Sequence, residues 1–264
     1  MPSLDTSFTL STIGHLASDY PDKFGIPRQP GLAPSARAIL YLADAYDDPM
    51  AVSGLEDFEH LWLQFVFDRS PERWSTRVRP PRLGGNRRIG VFASRATHRP
   101  NRLGLSLVTL ERVETSRKPT PSDTPIAGSR LAGHRSRVKL HLRSHDLSDA
   151  TPILDIKPYL PWAEARGDAR AGFAPTPPTV TPVAFTESAM VQLAQRADGD
   201  ALRQLIEEVL AQDPRPAYHA SDPTATRDYG VCLRDVNVRF RAVASEVGAW
   251  LEVFAVEPRD LVTP

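Results

Sequence analysis

HLWLQFVF, residues 60–67, is the stretch that decides the fold of this chain. A largely apolar run of this length is too short for an ordinary helix and is typical of a fully buried β-strand. Further short apolar runs lie on both sides of it and predict strands at Phe8–His15, Ala38–Leu42, Arg88–Ala93, Leu103–Val113 and Val138–Arg143. Many short strands at this spacing predict a β-barrel or a β-sandwich.

The proline content supports this interpretation. The chain of 264 residues contains 25 prolines, about twice the number that average usage would give. They fall between the apolar runs and limit their length, because proline cannot donate a backbone hydrogen bond to a helix or a sheet. This distribution favours short strands and structured loops over long helices.

The hydrophobic period changes in the last third of the chain. Gly172–Pro182 is rich in proline and is predicted to be an extended linker. Beyond it, Thr186 and Asp200 are each placed to cap a helix. The second helix carries an apolar stripe at helical spacing, formed by Leu202, Leu205, Ile206, Val209 and Leu210. Two further strands, Val236–Ala242 and Trp250–Val256, complete a small α+β region.

One segment is crowded with arginine. From Arg69 to Arg102 there are ten arginines, no lysine and a single acidic residue, Glu72, although the formal net charge of the whole chain is zero. Local positive charge on a neutral protein predicts a site for an anion such as phosphate or carboxylate. Arginine suits such a site because its planar guanidinium binds oxyanions with two hydrogen bonds and stacks on bases. The alternative is a set of solvated loop arginines without a ligand.

Several kinds of site leave no signature in the sequence. The glycine-rich loops of dinucleotide and P-loop proteins, the HExxH and clustered His/Cys patterns of zinc sites and the GxSxG nucleophile motif are missing. We therefore expect no bound metal. The single cysteine, Cys232, lies in an apolar run and is expected to be a buried, unreactive thiol. No segment resembles a signal peptide or a membrane span, so we expect a cytoplasmic protein.

Two features of the loops matter for function. Thr115–Arg137 is rich in serine, threonine, proline, glycine and arginine, and is predicted to be an exposed, mobile loop. Four short segments combine polar side chains with proline in turns, an arrangement that fixes their direction, although each one alone is also typical of a plain turn. They are Pro27–Gly31, Arg99–Asn101, Asp146–Pro152 and Asp213–Tyr218.

Taken in order, longer motifs identify a family. The chain closely resembles the TsaA-like, or TrmO, tRNA methyltransferases from about Ile13 to Pro258. The motifs that carry the resemblance are KFGIPRQPGL (23–32), GLEDFEHLWLQFVF (54–67), VRPPRLGGN (78–86), GVFASRATHRPN (90–101), DIKPYLPWAE (155–164) and VLAQDPRPAY (209–218).

The resemblance implies both an activity and an architecture. Members of this family transfer a methyl group from S-adenosylmethionine to N6 of threonylcarbamoyladenosine at position 37, beside the tRNA anticodon. We therefore expect an N-terminal antiparallel β-barrel that binds S-adenosylmethionine (1–171), the linker (172–182) and a small C-terminal α+β domain (183–264). The family binds its cofactor at a homodimer interface, so we expect a homodimer and no membrane partner.

The resemblance also implies site residues. Those expected to bind the cofactor are Arg28, Gln29, Pro30, Asp68, Arg69, Arg95, Arg99, Asn101, Asp146, Asp149 and Thr151. Those expected to contact RNA are Arg82, Arg87, Arg88, Arg215 and Tyr218. Asp149 and Asp213 are candidates for the base that takes the N6 proton. Asp68-Arg69 departs from the family's His-Gln, and the loop 115–137 is longer than the family leads us to expect.

Two other functions remain open at this point. One is a non-catalytic RNA-binding module that senses S-adenosylmethionine, in which the arginines bind RNA but no methyl group moves. The other is a methyltransferase that acts on a small anionic molecule. The salt dependence of binding separates these alternatives, because contact with several phosphates weakens steeply with salt whereas binding of one small anion does not.

Overall fold

The computed structural model describes residues 7–84, 87–216, 227–245 and 248–259. Within these ranges six strands form a closed antiparallel barrel with the neighbour order β1-β2-β7-β6-β3-β8. A two-stranded hairpin, β4 (Arg77–Val78) and β5 (Ile89–Gly90), lies between β3 and β6. The six barrel strands are β1 (Gly14–Ser18), β2 (Arg37–Leu42), β3 (His60–Val66), β6 (Leu103–Thr120), β7 (Ser136–Arg143) and β8 (Thr151–Pro158).

A second sheet follows the barrel, with the neighbour order β10-β11-β12-β9. Its strands are β9 (Val183–Phe185), β10 (Asp228–Leu233), β11 (Val236–Ser245) and β12 (Gly248–Pro258). The α-helices in the described ranges are α1 (Pro161–Glu164), α2 (Glu187–Ala194) and α3 (Gly199–Ala211). Short 3-10 helices occur at Pro49–Val52, Leu55–Asp57, Pro81–Leu83 and Val91–Ala93. The expected mainly β fold, with a barrel and a smaller α+β region, is confirmed.

Strand β3 differs from its expected environment. Leu61, Leu63 and Phe65 point into the barrel and are buried, while Trp62 and Gln64 are only partly covered on its outer side. The prediction of a strand buried on both faces is therefore wrong, because a barrel strand keeps one face outside the barrel. The indole of Trp62 obtains its partial cover from the side chain of Glu164, to which it donates a hydrogen bond of 2.6 Å.

Three boundaries also differ. The first strand begins only at Gly14, because residues 14–18 are those that pair with β2 and β8, and Phe8 before them is 84% exposed. Arg88–Ala93 contains the two residues of β5 followed by a 3-10 turn. Strand β6 continues to Thr120, and part of the following segment is buried, so 115–137 is not the wholly exposed loop that the sequence predicts.

In the C-terminal region the prediction of the first helix is confirmed. The hydroxyl of Thr186 accepts a hydrogen bond from the amide of Ala189 and caps α2. The predicted cap of the second helix is displaced, because α3 starts at Gly199 with Asp198 as the flanking residue, and Asp200 lies in its first turn. The apolar stripe of α3 packs on the second sheet as its spacing predicts.

The two sheets have separate cores that meet at one connection. Leu16, Leu40, Leu63 and Leu140 belong to the core of the barrel. The core under the second sheet includes the connection from β1 to β2, through Tyr20, Ala33 and Ala36. The C-terminal region therefore packs against the connection from β1 to β2 and also contacts the segment between β6 and β7, while the division into two domains with a linker at 172–182 stays a prediction. No helix in the described ranges is long and apolar enough to span a membrane.

Candidate functional site

Three connections open at the same end of the barrel, which we call the site end. They join β1 to β2 (19–36), β3 to β6 (67–102) and β7 to β8 (144–150). The register requires this arrangement, since Val66 pairs with Leu103, Arg37 with Arg143 and Leu16 with Thr151. Every residue expected to bind the cofactor lies on one of these connections or directly after it. Positions separated by more than 100 residues in sequence are thus brought to one end of the barrel.

The first connection carries Arg28, Gln29 and Pro30. The amide of Gly31 donates to the carbonyl of Ser144, which ties this connection to the third one. Arg28 is exposed. The Oε1 atom of Gln29 is shielded from solvent, and no donor among the described residues reaches it. A buried acceptor without a donor is costly unless a bound molecule supplies the missing hydrogen bond.

Asp149, at the end of the third connection, is fully buried. Its carboxylate accepts hydrogen bonds from the amide of Ser18 (3.1 Å), the hydroxyl of Ser129 and the amide of Arg130 (2.9 Å). The guanidinium of Arg130 also lies 3.4 Å from it. These bonds use most of the acceptor capacity of a carboxylate, so the geometry supports a structural task for Asp149 and does not support a role as base. Thr151, beside it, is buried and donates to the carbonyl of Ser148.

Asp146 has a different environment on the same connection. Burial raises the pKa of its carboxyl group, while the hydroxyl of Ser106 and the positive charge of Arg95 act in the opposite direction. Ser106 lies on β6 and is fully buried. The carboxyl of Asp146 is thus held close to the barrel interior at the site end, with Arg95 as its cationic neighbour.

Asp68-Arg69 is the position where the sequence departs from the family motif. The guanidinium of Arg69 donates to the carbonyls of Asp149 (2.5 Å) and Pro21 (3.3 Å) and so links all three connections, whereas Asp68 is exposed. Arg99 donates to the carbonyl of Ser94 (2.9 Å). It braces the turn that carries the exposed side chain of Asn101.

The arginine-rich segment forms the second connection. In the described ranges, only one of its ten arginines has a carboxylate within 4.0 Å, which is Arg102 beside the largely exposed Glu72. Arg82, Arg87 and Arg88 are exposed, and Arg82 donates to the carbonyl of Thr176. The segment therefore presents positive charge that the described residues do not neutralise through close ion pairs, as a surface for a polyanion requires.

The structure does not bring the Asp213 motif to the other residues. Asp213 and Arg215 form a bidentate pair with two distances of 2.8 Å, and Arg215 is buried. No hydrogen bond or ion pair in the described ranges joins either one to a residue expected to bind the cofactor. The burial of Arg215 does not support direct contact with RNA. Tyr218 lies outside the described residues.

One group of possible metal ligands occurs in the described structure. Ligand atoms of Glu114, Asp123 and His141 lie within 4.8 Å of one another. Lys139 and Arg112 already pair with the carboxylates at 2.7 and 2.6 Å, so the protein's own cations provide the positive charge that a metal would bring. Cys232 is only partly buried, so the expectation of full burial is wrong, but desolvation still raises the pKa of its thiol to about 11, in agreement with an unreactive cysteine.

Sequence reasoning missed the residues that support the site. Ser129 and Arg130 hold Asp149 from a segment interpreted as a mobile loop. Asp19 bonds the buried Arg234, which lies 215 residues away. None of these four residues is marked by a local sequence pattern, because a charged or hydroxylated residue in a turn looks the same in the sequence whether it is solvated or buried.

Comparisons with known proteins agree with this architecture. A family model described as the tRNA-methyltransferase O N-terminal domain matches residues 15–165, and one described as the TrmO C-terminal domain matches residues 178–259. The chain is 46% identical over 259 residues to the tRNA (adenine(37)-N6)-methyltransferase of Escherichia coli K12, covering 96% of this chain and 100% of the relative.

Two further comparisons come from Pseudomonas aeruginosa. The chain is 46% identical over 237 residues to a protein named "Putative S-adenosylmethionine-dependent methyltransferase RcsF", covering 88% of this chain and 91% of the relative. The crystal structure of TrmO from this organism superimposes with a TM-score of 0.72 at 38% identity, covering 97% of this chain and 100% of that one. The chain therefore belongs to the tRNA-methyltransferase O (TrmO) family.

Proposed function

We propose that this protein methylates N6 of adenosine 37 of tRNA with S-adenosylmethionine as the methyl donor, and that its acceptor nucleoside is threonylcarbamoyladenosine. One observation carries the proposal: 46% identity with the E. coli tRNA (adenine(37)-N6)-methyltransferase spans 96% of this chain and the whole of that enzyme. The convergence of the family's cofactor residues at the site end supports it. The tRNA substrate implies action in the cytoplasm.

The site end fits S-adenosylmethionine. The shielded Oε1 of Gln29 has no donor among the described residues, and the ribose hydroxyls, amino groups and ammonium of this cofactor are donors of the required kind. Exposed Arg28 on the same connection provides a cation for the cofactor's carboxylate. When bound, the cofactor supplies a methyl group on a sulfonium. The leaving group of the transfer is a neutral thioether, so no acid is needed to protonate it. The task of the protein is then to align the acceptor nitrogen with that methyl group.

Asp213 is the better of the two proposed bases. Arg215 pairs with the carboxylate of Asp213, but the side chain of Asp213 is 21% exposed. Lone pairs of this carboxylate therefore remain accessible to a proton donor. Asp149 is fully buried and already bonded. We therefore propose a supporting role for Asp149 and keep Asp213 as the remaining candidate for proton acceptance, although no contact within the described protomer joins it to the site end. The single-turnover rate at saturating cofactor tests this assignment, since Asp213→Asn should slow transfer about 100-fold or more. A normal rate in that variant would eliminate Asp213.

The arginines of the second connection bind the tRNA in this proposal. Both the loop phosphates and the threonyl carboxylate of the nucleoside are oxyanions, and Arg82, Arg87 and Arg88 are exposed beside the site end. The bases of an anticodon loop are already unpaired, so presenting N6 to the site costs little unstacking energy.

We also propose that the protein is a homodimer. Leu103 and Leu105 project from the outer side of β6 and are 43% and 48% exposed. Val66 and Gln64 of β3 pair directly with them, which makes this a largely apolar face beside the site end. Apolar side chains clustered on an exposed sheet face are typical of a protein interface.

Mass spectrometry of nucleosides tests the proposal most directly. Purified protein is incubated with S-adenosylmethionine and with tRNA that carries threonylcarbamoyladenosine, and in parallel with the same tRNA lacking the modification. The gain of one methyl group on the modified nucleoside is the expected result. Tight, salt-sensitive tRNA binding without methyl gain would favour the RNA-binding module, and a shallow salt slope would favour a small anionic substrate.

A further inference from the structure

Residues 121–135, which we call the strap, run from the end of β6 to the start of β7 across the outside of the barrel. Ile126 of the strap is buried against Ala17, Ile39 and Tyr41, which point outward from β1 and β2. The apolar patch on these strands would otherwise face water, so its burial holds the middle of the strap against the barrel.

The beginning of the strap is held by charge. Asp123 pairs with Arg112 at 2.6 Å, and the hydroxyl of Ser122 donates to Glu114 at 3.4 Å. Glu114 in turn accepts from Lys139, which is fully buried although it lies on the outer side of β7. The strap therefore covers a polar network on the barrel wall as well as an apolar patch.

The far part of the strap reaches the site end. There Ser129 and Arg130 provide two of the hydrogen bonds that hold the buried carboxylate of Asp149. Asp149 also binds the amide of Ser18 at the end of β1, and its backbone carbonyl accepts from Arg69. One carboxylate thus joins the strap, β1 and the turn that carries Asp146 and Thr151.

The strap is also fixed on its other side. Gly128 has a φ of +73°, and a Cβ atom at this position would lie 2.4 Å from the carbonyl oxygen of Arg234. Arg259 donates to the carbonyl of Gly128 at 2.8 Å. Only glycine permits both this backbone conformation and this close approach, so the C-terminal region sets the position of the strap directly before Ser129.

From these contacts we propose that Ser129 is a positioning residue for the methyl transfer, and that the strap sets the conformation of the turn 146–151 through Asp149. The proposal rests on the function proposed above, because it assigns this turn to the cofactor site. Ser129 acts through Asp149 and not on the reacting atoms. Without its hydroxyl, a buried carboxylate loses a donor that water cannot replace.

The test combines a structural readout with a binding readout. Hydrogen exchange is measured at the amides of Asp149 and Ala150, which donate to the carbonyls of Tyr20 and Leu16 in the native turn. Isothermal titration gives the Kd for S-adenosylmethionine. In Ser129→Ala we expect exchange to accelerate and Kd to rise, each roughly 5- to 10-fold. Ser129→Thr keeps the hydroxyl and should restore both values.

The matched control is Asp123→Asn, which weakens the charged anchor at the other part of the same strap and should change neither value. Arg130→Ala, which keeps the backbone donor, replaces Ser129→Ala in case that variant does not fold. Unchanged exchange in Ser129→Ala would overturn the proposal. Faster exchange with an unchanged Kd would overturn its connection to the cofactor. If the wild-type protein binds the cofactor but transfers no methyl group, faster exchange in Ser129→Ala would still support the role of the strap, and the proposed function would be refuted.

Discussion

The Nε atom of Arg234 lies 3.0 Å from Oδ1 of Asp19, and both side chains are almost completely buried. Asp19 begins the first connection of the site end, and Arg234 lies between β10 and β11 of the second sheet. Arg234 also pairs with Asp198 at 2.9 Å, and its amide donates to the carbonyl of Asp19. The barrel loop that carries Gln29 is thereby attached to the C-terminal region.

Breaking this pair on one side should destabilise the protein strongly. Asp19→Ala leaves a buried guanidinium without its main partner, for which we expect a loss of about 3–5 kcal/mol in the free energy of unfolding. Urea denaturation measures this loss. The double variant Asp19→Leu/Arg234→Met removes both charges and should recover much of it. A single variant as stable as the wild type would show that the pair does not hold the loop.

Gln29 should contribute to cofactor binding without contributing to stability. Its shielded Oε1 has no donor in the described structure, so Gln29→Ala removes an acceptor that a bound molecule is expected to satisfy. We expect the Kd for S-adenosylmethionine to rise roughly 10-fold, with the unfolding free energy unchanged or higher. Gln204→Ala, on the exposed side of α3, is the matched control. An unaltered Kd would remove Gln29 from the cofactor site.

His145 should make stability depend on pH. It is fully buried, its Nε2 lies 3.0 Å from the carbonyl of Arg37, and its Nδ1 accepts from the amide of Leu147. Burial lowers its pKa below the usual 6.5, so the unfolded chain takes up the proton first. Stability is therefore full above about pH 6.5 and falls as the pH drops below that value.

Urea unfolding of the wild type and of His145→Gln checks this effect, measured between pH 7.5 and 5 at intervals of roughly 0.5 pH unit. The variant should be less stable at pH 7.5 and should lose less stability on acidification than the wild type. His141, whose pKa is lowered mainly by burial, contributes a slope of the same sign and remains in the variant. Equal slopes in both proteins would contradict the assignment to His145.

Arg87 and Arg88 should bind phosphate. Replacing both with alanine should weaken tRNA binding and reduce the slope of log Kd against log salt by about 1.5–2. The slope falls because each phosphate contact that is lost lowers the number of counterions released when the tRNA binds. The Kd for S-adenosylmethionine should stay constant. Arg203→Ala serves as the control, since this arginine pairs with Glu207 on α3. A slope equal to that of the wild type would place the tRNA elsewhere.

Leu105 should belong to the dimer interface. Leu105→Glu places a charge on the apolar outer face of β6, and we expect sedimentation to show a monomer with weakened cofactor binding. Met50→Glu is the matched control, because Met50 is 79% exposed on a 3-10 helix at the opposite end of the barrel. A Leu105→Glu protein that remains dimeric would exclude this face.

The sequence by itself determined the strands β2, β3 and β7, the helix α2 with its Thr186 cap, and the family. Hydrophobic period, capping and motif order are local properties, so they can be recognised without a structure. The family motifs also identified the residues that converge at the site end, although only the barrel register shows that they share it.

Tertiary structure alone decided how these residues are used. The sequence suggested a base at Asp149, but its burial together with donors from Ser129, Arg130 and Ser18 favours the supporting role that we propose. The segment 115–137 has the composition of a loop, yet Ile126 packs against an apolar patch on β1 and β2 and so holds the segment against the barrel. The burial and hydrogen bonding of a residue depend on partners that can lie far away in the sequence. Ser18 and Asp149, for example, are more than 100 positions apart, and no local pattern predicts such a contact.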